Sequence, residues 1–383
     1  MLVVKLLMPR FLVVEVVIFI HLIYGSNACK SLKKAIKGKD CVIPVGEKDG
    51  DFAQEPLFFD SDGRFLLPKV SQDGIKQLEI ESGSSFFTSC SKSHVIEVKC
   101  SNSKLSNNDL SCSRSIQESV EEFTDTVCGP TNGAGKIAEI GWMTTSFQSQ
   151  ITVCHDREAD HTYYTNHTIY GKNIDARSIG SRKPGFSESG FYEDISANGA
   201  YHRNHQKTLC PNNQCPYFYA RGHLSPRADF IYKEWQDATY KYVNAVPQYD
   251  KFNGGNWANM EDKVREFAAK LGLSLQVQTG SYKNDSALLT QTKQIPVPKF
   301  MWKLVHDVQN NKAIVFVGVN SNKQVDENLC EQDPTTLCED YMWSFPNRKK
   351  VKSGLMYCCK YATFKKKIPW IKDIKTSPGV LKF

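Results

Sequence analysis

The sequence predicts an α+β protein. A small β-rich N-terminal domain is expected to precede a larger domain with a central antiparallel sheet flanked by helices. Three observations carry this. From residue 29 to about 145 the apolar residues come in short runs, such as Leu57–Phe59, Phe65–Leu67 and Val95–Val98, bounded by Gly, Ser, Asp and Pro. That is the texture of short strands. From Ile151 onward the runs lengthen, and SLQVQTGSY (274–282), FMWKLVHDV (300–308) and KAIVFVGVN (312–320) read as sheet strands. Between them Trp257, Met260, Val264, Phe267 and Leu271 recur at three- and four-residue steps, the period of a helix, and Gly272 supplies its stop.

The first 28 residues read as a secretory leader. Lys5 and Arg10 precede an apolar run from Phe11 to Tyr24, which is broken by Glu15 and His21, and Ser26-Asn27-Ala28 offers a small-residue cleavage site. So short and interrupted a run does not span a bilayer comfortably, so no stable membrane association is expected. The 13 cysteines all follow this leader, which in an oxidising compartment means several disulfides and one thiol left over. Cys90/Cys100, Cys210/Cys215 and Cys330/Cys338 are spaced as local staples, whereas the neighbours Cys358 and Cys359 need different partners. Asn166-His-Thr and Asn284-Asp-Ser are glycosylation acceptors. The expected organisation is therefore leader 1–28, β-rich domain 29–145 and main domain 146–383, with the Gly-rich stretch Cys128–Lys136 as a linker. Net charge is +7, and from Pro346 onward 11 Lys or Arg stand against one acid, Asp373. A basic face of that kind attracts polyanions, although a solvated lysine-rich tail has the same composition.

Three groups of residues bear chemistry. His155, His161 and His167 lie six apart, too widely spread along strands to share one metal ion, and are expected to be exposed. The second group is Arg221-Gly222-His223 within YFYARGHLSPRADF (217–230). The third spans 242–267, where Asn253 is placed to cap the helix and Trp257, Glu261 and Arg265 follow at four-residue steps. Taken singly these residues are ordinary: a loop histidine, a cap, a helix-surface ion pair of a few tenths of a kcal/mol.

Together, RGHLSPRAD and the downstream VNAVPQYDKFNGGNWANMED resemble the DNA/RNA non-specific endonuclease family, whose site is a ββα-metal arrangement. The segments VQTGSY, IPVPKFMWKLV and IVFVGVN follow in the family's order, and RKPGFSESGFY with AYHRNHQ precedes the triplet as in secreted insect members. The resemblance runs from about Ile151 to the C-terminus and extends to the cysteine-bearing N-terminal module. It implies His223 as general base, a role suited to an imidazole. It implies Asn253 as the sole direct protein ligand of Mg²⁺, which keeps most of its waters, with Mn²⁺ as a substitute. Glu261 would hold that water shell, Arg265 and Asn244 would support the site, and Arg221 would act beside the base. An upstream arginine that clamps phosphate is matched by Arg182, with Arg177 and Arg203 as alternatives.

One departure stands out. Ala220 occupies a position where bacterial and mitochondrial members carry Asp, which leaves the partner of Arg221 undefined. The implied activity is hydrolysis of phosphodiester bonds in DNA and double-stranded RNA by a secreted protein of saliva or gut lumen, with cleavage rising through neutrality as the base loses its proton. The rivals are a catalytically impaired nucleic-acid binder of the same fold and a heparin- or polyphosphate-binding protein that uses the basic tail.

Overall fold

A computed structural model describes residues 38–383 apart from 47–54, 92–93, 115, 131–133, 181–182, 193–195, 211, 213–216, 291–294, 331–333 and 346. The leader, Cys29, Cys215 and Arg182 lie outside the described residues. Seven short strands come first: β1 (Cys41–Pro44), β2 (Leu57–Phe59), β3 (Lys69–Val70), β4 (Lys76–Ile80), β5 (Ser85–Ser91), β6 (His94–Ser101) and β7 (Lys104–Leu105). They pair as two small sheets, β1-β4-β3 and β2-β5-β6-β7. Alternation places Cys41 and Ile43 inward while Val42 and Pro44 face out, the period-2 signature of a half-buried strand.

A nine-stranded sheet forms the body of the molecule. Its order is β17 (Met356–Cys359), β16 (Lys312–Val319), β15 (Pro296–Asp307), β14 (Ser274–Leu288), β11 (His161–Tyr170), β10 (Phe147–Asp156), β9 (Gly135–Met143) and β8 (Ser119–Cys128), with β18 (Gly379–Val380) beside β16. Every pairing is antiparallel except β16 with β18. The sheet therefore begins at Ser119, and the boundary expected at 145 falls inside the hairpin that pairs Met143 with Phe147. The Gly-rich stretch is likewise no interdomain linker. It connects β8 to β9, which are hydrogen-bonded neighbours, and Cys128 is tied to Cys154 on β10.

Both faces of the sheet are covered, which is why β15 and β16 read as near-continuous apolar runs rather than alternating ones. On one face Met260, Val264 and Phe267 of the long helix Ala258–Leu271 pack on Val277, Met301, Val305, Ile314 and Phe316. On the other, Phe364 and Ile368 cover Phe300, Trp302, Leu304, Val315 and Val317. Gly272 ends the long helix in the left-handed region at φ 61°, where glycine carries no Cβ penalty. The N-terminal sheets dock on this body. Phe65 meets Trp235 edge-on at 4.7 Å, and the Tyr232 hydroxyl donates to the Leu66 carbonyl at 2.8 Å.

Five disulfides are described: Cys41–Cys100, Cys90–Cys112, Cys128–Cys154, Cys330–Cys359 and Cys338–Cys358. Cys210 is also disulfide-bonded. Two of the expected local staples are therefore overturned. The β5–β6 register pairs Ser89 with Val95 and Ser85 with Lys99, so Cys90 and Cys100 sit at opposite ends of that hairpin. Successive residues on β17 point to opposite faces, and Cys358 and Cys359 take different partners, as the sequence implied.

Candidate active site

Between β11 and β14 the chain leaves the sheet and builds a compact ββα unit. Strand β12 (Tyr219–His223) pairs antiparallel with β13 (Ala245–Tyr249), so that His223 lies opposite Ala245. Gly222 is required by this register: a Cβ there would sit 2.2 Å from Cδ of the buried Gln248. Asn320 fastens the hairpin to the sheet, accepting from the Tyr249 amide at 2.7 Å and donating to the carbonyls of Pro247 and Pro298 at 2.9 and 2.8 Å. A helical turn, Asp250–Phe252, follows β13 directly. It continues through a π turn, Asn253–Trp257, into the long helix.

Asn253 therefore does not cap the helix. Its φ/ψ of −57°/−50° is helical, and helix formation already begins three residues earlier. The break comes instead at Gly255, with φ −116° and ψ −110°. Gly254 and Gly255 let the backbone widen here, and single π turns of this kind recur at functional sites.

His223 sits at the end of β12 against aromatic walls. Phe186 lies 5.0 Å away and Tyr240 4.9 Å away, the latter edge-on. The imidazole Nε2 is enclosed and has no hydrogen-bond partner. Burial, with the charges of Lys183 and Arg227 adding, lowers its pKa to about 4, so the ring is neutral at physiological pH. The acid limb expected near neutrality thus moves downward for this group.

A buried polar network runs behind His223. The backbone amide of Ser225 donates to Asn244 Oδ1 at 2.9 Å, and Asn244 Nδ2 returns bonds to the carbonyls of Ser225 and Thr239, each at 2.9 Å. Asn244 thereby locks the turn after His223. The Ser225 hydroxyl lies 2.9 Å from His167 Nδ1 and 2.8 Å from Thr165 Oγ1. His167 Nε2 is 2.8 Å from Asp229 Oδ2, and Arg265 Nη1 donates to Asp229 Oδ1 at 2.6 Å. Burial alone would raise the Asp229 pKa; the His167 bond and the charges of Arg265 and Lys303 instead bring it to about 2. Arg265 is held further by Asp262, so its partners are Asp229 and Asp262 rather than Glu261.

Glu261, 12 % exposed, has Lys303 Nζ 3.9 Å from its Oε1, and that oxygen is buried with no hydrogen bond. Burial pushes the carboxyl up to about 7, against the pull of Lys303 and Arg265. Lys303 Nζ also donates to Thr279 Oγ1 at 2.6 Å and to the Leu224 carbonyl, next to His223, at 3.4 Å. Hydrogen bonds therefore join Asn244 to Arg265 through Ser225, His167 and Asp229. Lys303 reaches from the Leu224 carbonyl toward Glu261, and Asn253 lies on the π turn that leads into Glu261's helix.

Ala220 finds its answer here. Arg221 Nε donates to the Tyr242 hydroxyl at 2.8 Å and Nη2 to Asn198 Oδ1 at 3.0 Å. The same Asn198 oxygen accepts from Tyr242 at 3.0 Å. The rings of Tyr201 and Tyr242 lie 5.6 and 5.8 Å from the guanidinium carbon. Neutral hydrogen bonds and aromatic faces fix this arginine without the aspartate.

Other expected residues fall elsewhere. Arg182 is outside the described residues. Arg177 donates to its own turn, at Ile174, and Arg203 lies over Phe218 at 4.9 Å; the cations whose charge acts on His223 are Lys183 and Arg227. His155, His161 and His167 are not exposed but 1 %, 8 % and 4 % accessible. They are buried along the β10–β11 hairpin and bond to Thr162, Ser281 and the Asp229 network. Asn166 is half-buried mid-strand between Thr152 and Gln278, and Asn284 lies on β14 opposite Pro298. Lys303, Asp229, Ser225 and Thr279 were not singled out from the sequence. Asp229 lay within the RGHLSPRAD motif but was given no role, whereas Lys303 carries no signal except a lysine inside an apolar strand.

A hydrated divalent cation fits this donor set. Asn253 is half-exposed on the π turn and one Glu261 oxygen is unsatisfied. Among the described residues no group of three or more His, Cys, Asp or Glu side chains is placed to chelate a metal.

The β12–β13 hairpin followed by the long helix is the ββα-metal fold, and it carries the candidate residues His223, Asn253 and Glu261. The family model for DNA/RNA non-specific endonucleases matches residues 138–364, and the chain belongs to that family of phosphodiester hydrolases. A salivary endonuclease of Lutzomyia longipalpis is 28 % identical over 365 residues, covering 89 % of this chain and 86 % of its own. A salivary endonuclease of Culex quinquefasciatus is 24 % identical over 344 residues, covering 86 % and 90 %. Among solved structures, a chain of the EndoG/EndoGI complex aligns with TM-score 0.33 and 17 % identity, over 50 % of this chain and 81 % of that one. That superposition is too distant to bear on the site.

Proposed function

We propose that this chain is a secreted, Mg²⁺-dependent, sugar-non-specific endonuclease that cuts DNA and double-stranded RNA, with Mn²⁺ able to replace Mg²⁺. The observation that carries the reading is the enclosed, unpartnered Nε2 of His223 on a neutral imidazole. A neutral imidazole nitrogen that no protein group occupies can take a proton from a water delivered to it with the substrate. Because water is the nucleophile, no ribose 2′-hydroxyl is needed, and one site serves both polymers.

Asn253 would hold the cation through its amide oxygen, and Glu261 would orient the surrounding waters with its unsatisfied oxygen. A cation held there would supply Lewis-acid stabilisation of the charge that develops on the phosphate and the leaving oxygen. Arg221, clamped by Tyr242 and Asn198, presents a fixed guanidinium to phosphate, and Lys183 and Arg227 add positive charge around His223. Arg182 remains a candidate for the upstream phosphate clamp. Asn244 keeps His223 in place through the Ser225 turn. Capture is led by the backbone, so affinity falls with salt and sequence preference is weak. The leader-like N-terminus, the disulfides and the salivary relatives support secretion into saliva or gut lumen, and Asn166 and Asn284 are the candidate glycan acceptors.

The test is incubation of purified protein with supercoiled plasmid and with long double-stranded RNA, in Mg²⁺ and in chelator. Cleavage of both polymers that chelator stops is the expected result. Intact nucleic acid in Mg²⁺ together with a gel shift would replace this reading with a binder.

A further inference from the structure

Lys303 is a buried charge in a row of apolar side chains. On β15 the residues Met301 and Val305 point at the long helix, while Phe300, Trp302 and Leu304 point to the opposite face. Lys303 stands in the helix-facing row, where another apolar residue would complete the packing. Its side chain is 1 % exposed, and burying an ammonium is costly unless it is paired and hydrogen-bonded. Two of its three donors are accounted for, by Thr279 Oγ1 at 2.6 Å and the Leu224 carbonyl at 3.4 Å. The ammonium nitrogen itself lies 5.7 Å from the centre of the Trp257 ring. The remaining direction leads to Glu261 Oε1 at 3.9 Å, close enough for attraction but beyond hydrogen-bond length.

Thr279 therefore holds the ammonium just short of closing on the carboxylate. The buried set then contains two cations, Lys303 and Arg265, and two anions, Asp229 and Glu261.

We infer that Lys303 is a positioning residue of the site, whose charge, restrained by Thr279, limits how strongly Glu261 is committed to a divalent cation. The inference rests on the reading of Asn253 and Glu261 as the cation-holding end of the site. Without the lysine charge, Glu261 faces the cation with less competition. If Thr279 no longer restrains the ammonium, it is free to close on the charged acceptor beside it, Glu261 at 3.9 Å, and competes harder. A purely structural lysine would lower stability in both cases and leave cation affinity unmoved.

The experiment titrates Mn²⁺ into substrate-free full-length protein at one fixed pH well above 7, where Glu261 is ionised with or without the lysine. Binding is followed by electron paramagnetic resonance and folding confirmed by circular dichroism. Lys303→Met is expected to bind Mn²⁺ about tenfold more tightly, the scale of one partly screened charge. Thr279→Val is expected to bind it several-fold more weakly. Wild-type binding with neither folded variant shifted beyond twofold overturns the inference and leaves the cation site standing. No Mn²⁺ binding by the wild type removes the cation site and the inference with it. If Lys303→Met does not fold, Thr279→Val decides alone: weaker binding supports the inference and unchanged binding overturns it.

Discussion

Replacing Arg265 by Met would leave Asp229 without the guanidinium that pairs with its Oδ1. The two side chains are 10 % and 2 % exposed, and the Nη1–Oδ1 bond is 2.6 Å. Removing one member of so enclosed a pair costs about 3–5 kcal/mol, because the remaining charge is stranded in a low-dielectric interior. Asp229 would still hold His167 at 2.8 Å and feel the attraction of Lys303, so the lower end, about 3 kcal/mol, applies. The double variant Arg265→Met/Asp229→Asn strands no charge, and should be more stable than Arg265→Met alone by about 1 kcal/mol or more. Urea unfolding at pH 7, followed by tryptophan fluorescence, measures both. An Arg265→Met cost below about 1 kcal/mol, within the range of an exposed ion pair, would refute the reasoning. So would a double variant less stable than Arg265→Met.

Two further outcomes follow from the same geometry. Tyr242→Phe removes the hydroxyl that accepts from Arg221 and donates to Asn198; salt-dependent DNA binding and steady-state cleavage should show a several-fold loss in kcat/KM with little change in melting temperature, and an unchanged kcat/KM would contradict the clamp. Acid should destabilise the protein. Burial lowers the His155 pKa to about 3 and those of His161 and His223 to about 4, while in the unfolded chain each takes its proton near 6.5. Their contribution is full above that value and is lost as pH falls toward 4 and below. The melting temperature should drop through the window from 6.5 to 4, and a flat profile there would contradict the burial of these neutral rings.

The elements with strong local signals were legible in the sequence. The apolar stripe through Trp257, Met260, Val264 and Phe267, with Gly272 after it, gave the long helix, and the runs 274–282, 300–308 and 312–320 fall on sheet strands, the last two running one residue past the strand end. Where local chemistry allowed two outcomes, tertiary structure decided. An asparagine before an apolar stripe is a natural cap, yet Asn253 lies inside a helix already begun at Asp250, because the following glycines admit a π turn. Three evenly spaced histidines read as polar surface until a covered hairpin buries them. Cysteine spacing could not reveal that the β5–β6 register carries Cys90 away from Cys100. Lys303 was hidden because both faces of β15 are buried, which erases the alternation that would have marked its face.

The central claim is that His223 is the base of this site. The decisive measurement compares His223→Ala with wild type for cleavage of supercoiled plasmid in Mg²⁺, alongside a binding assay on the same DNA. The account predicts a rate at least about 10²-fold lower, the usual contribution of general base catalysis, with DNA binding within a few-fold of wild type. A His223→Ala protein that cuts within a few-fold of the wild-type rate would contradict it.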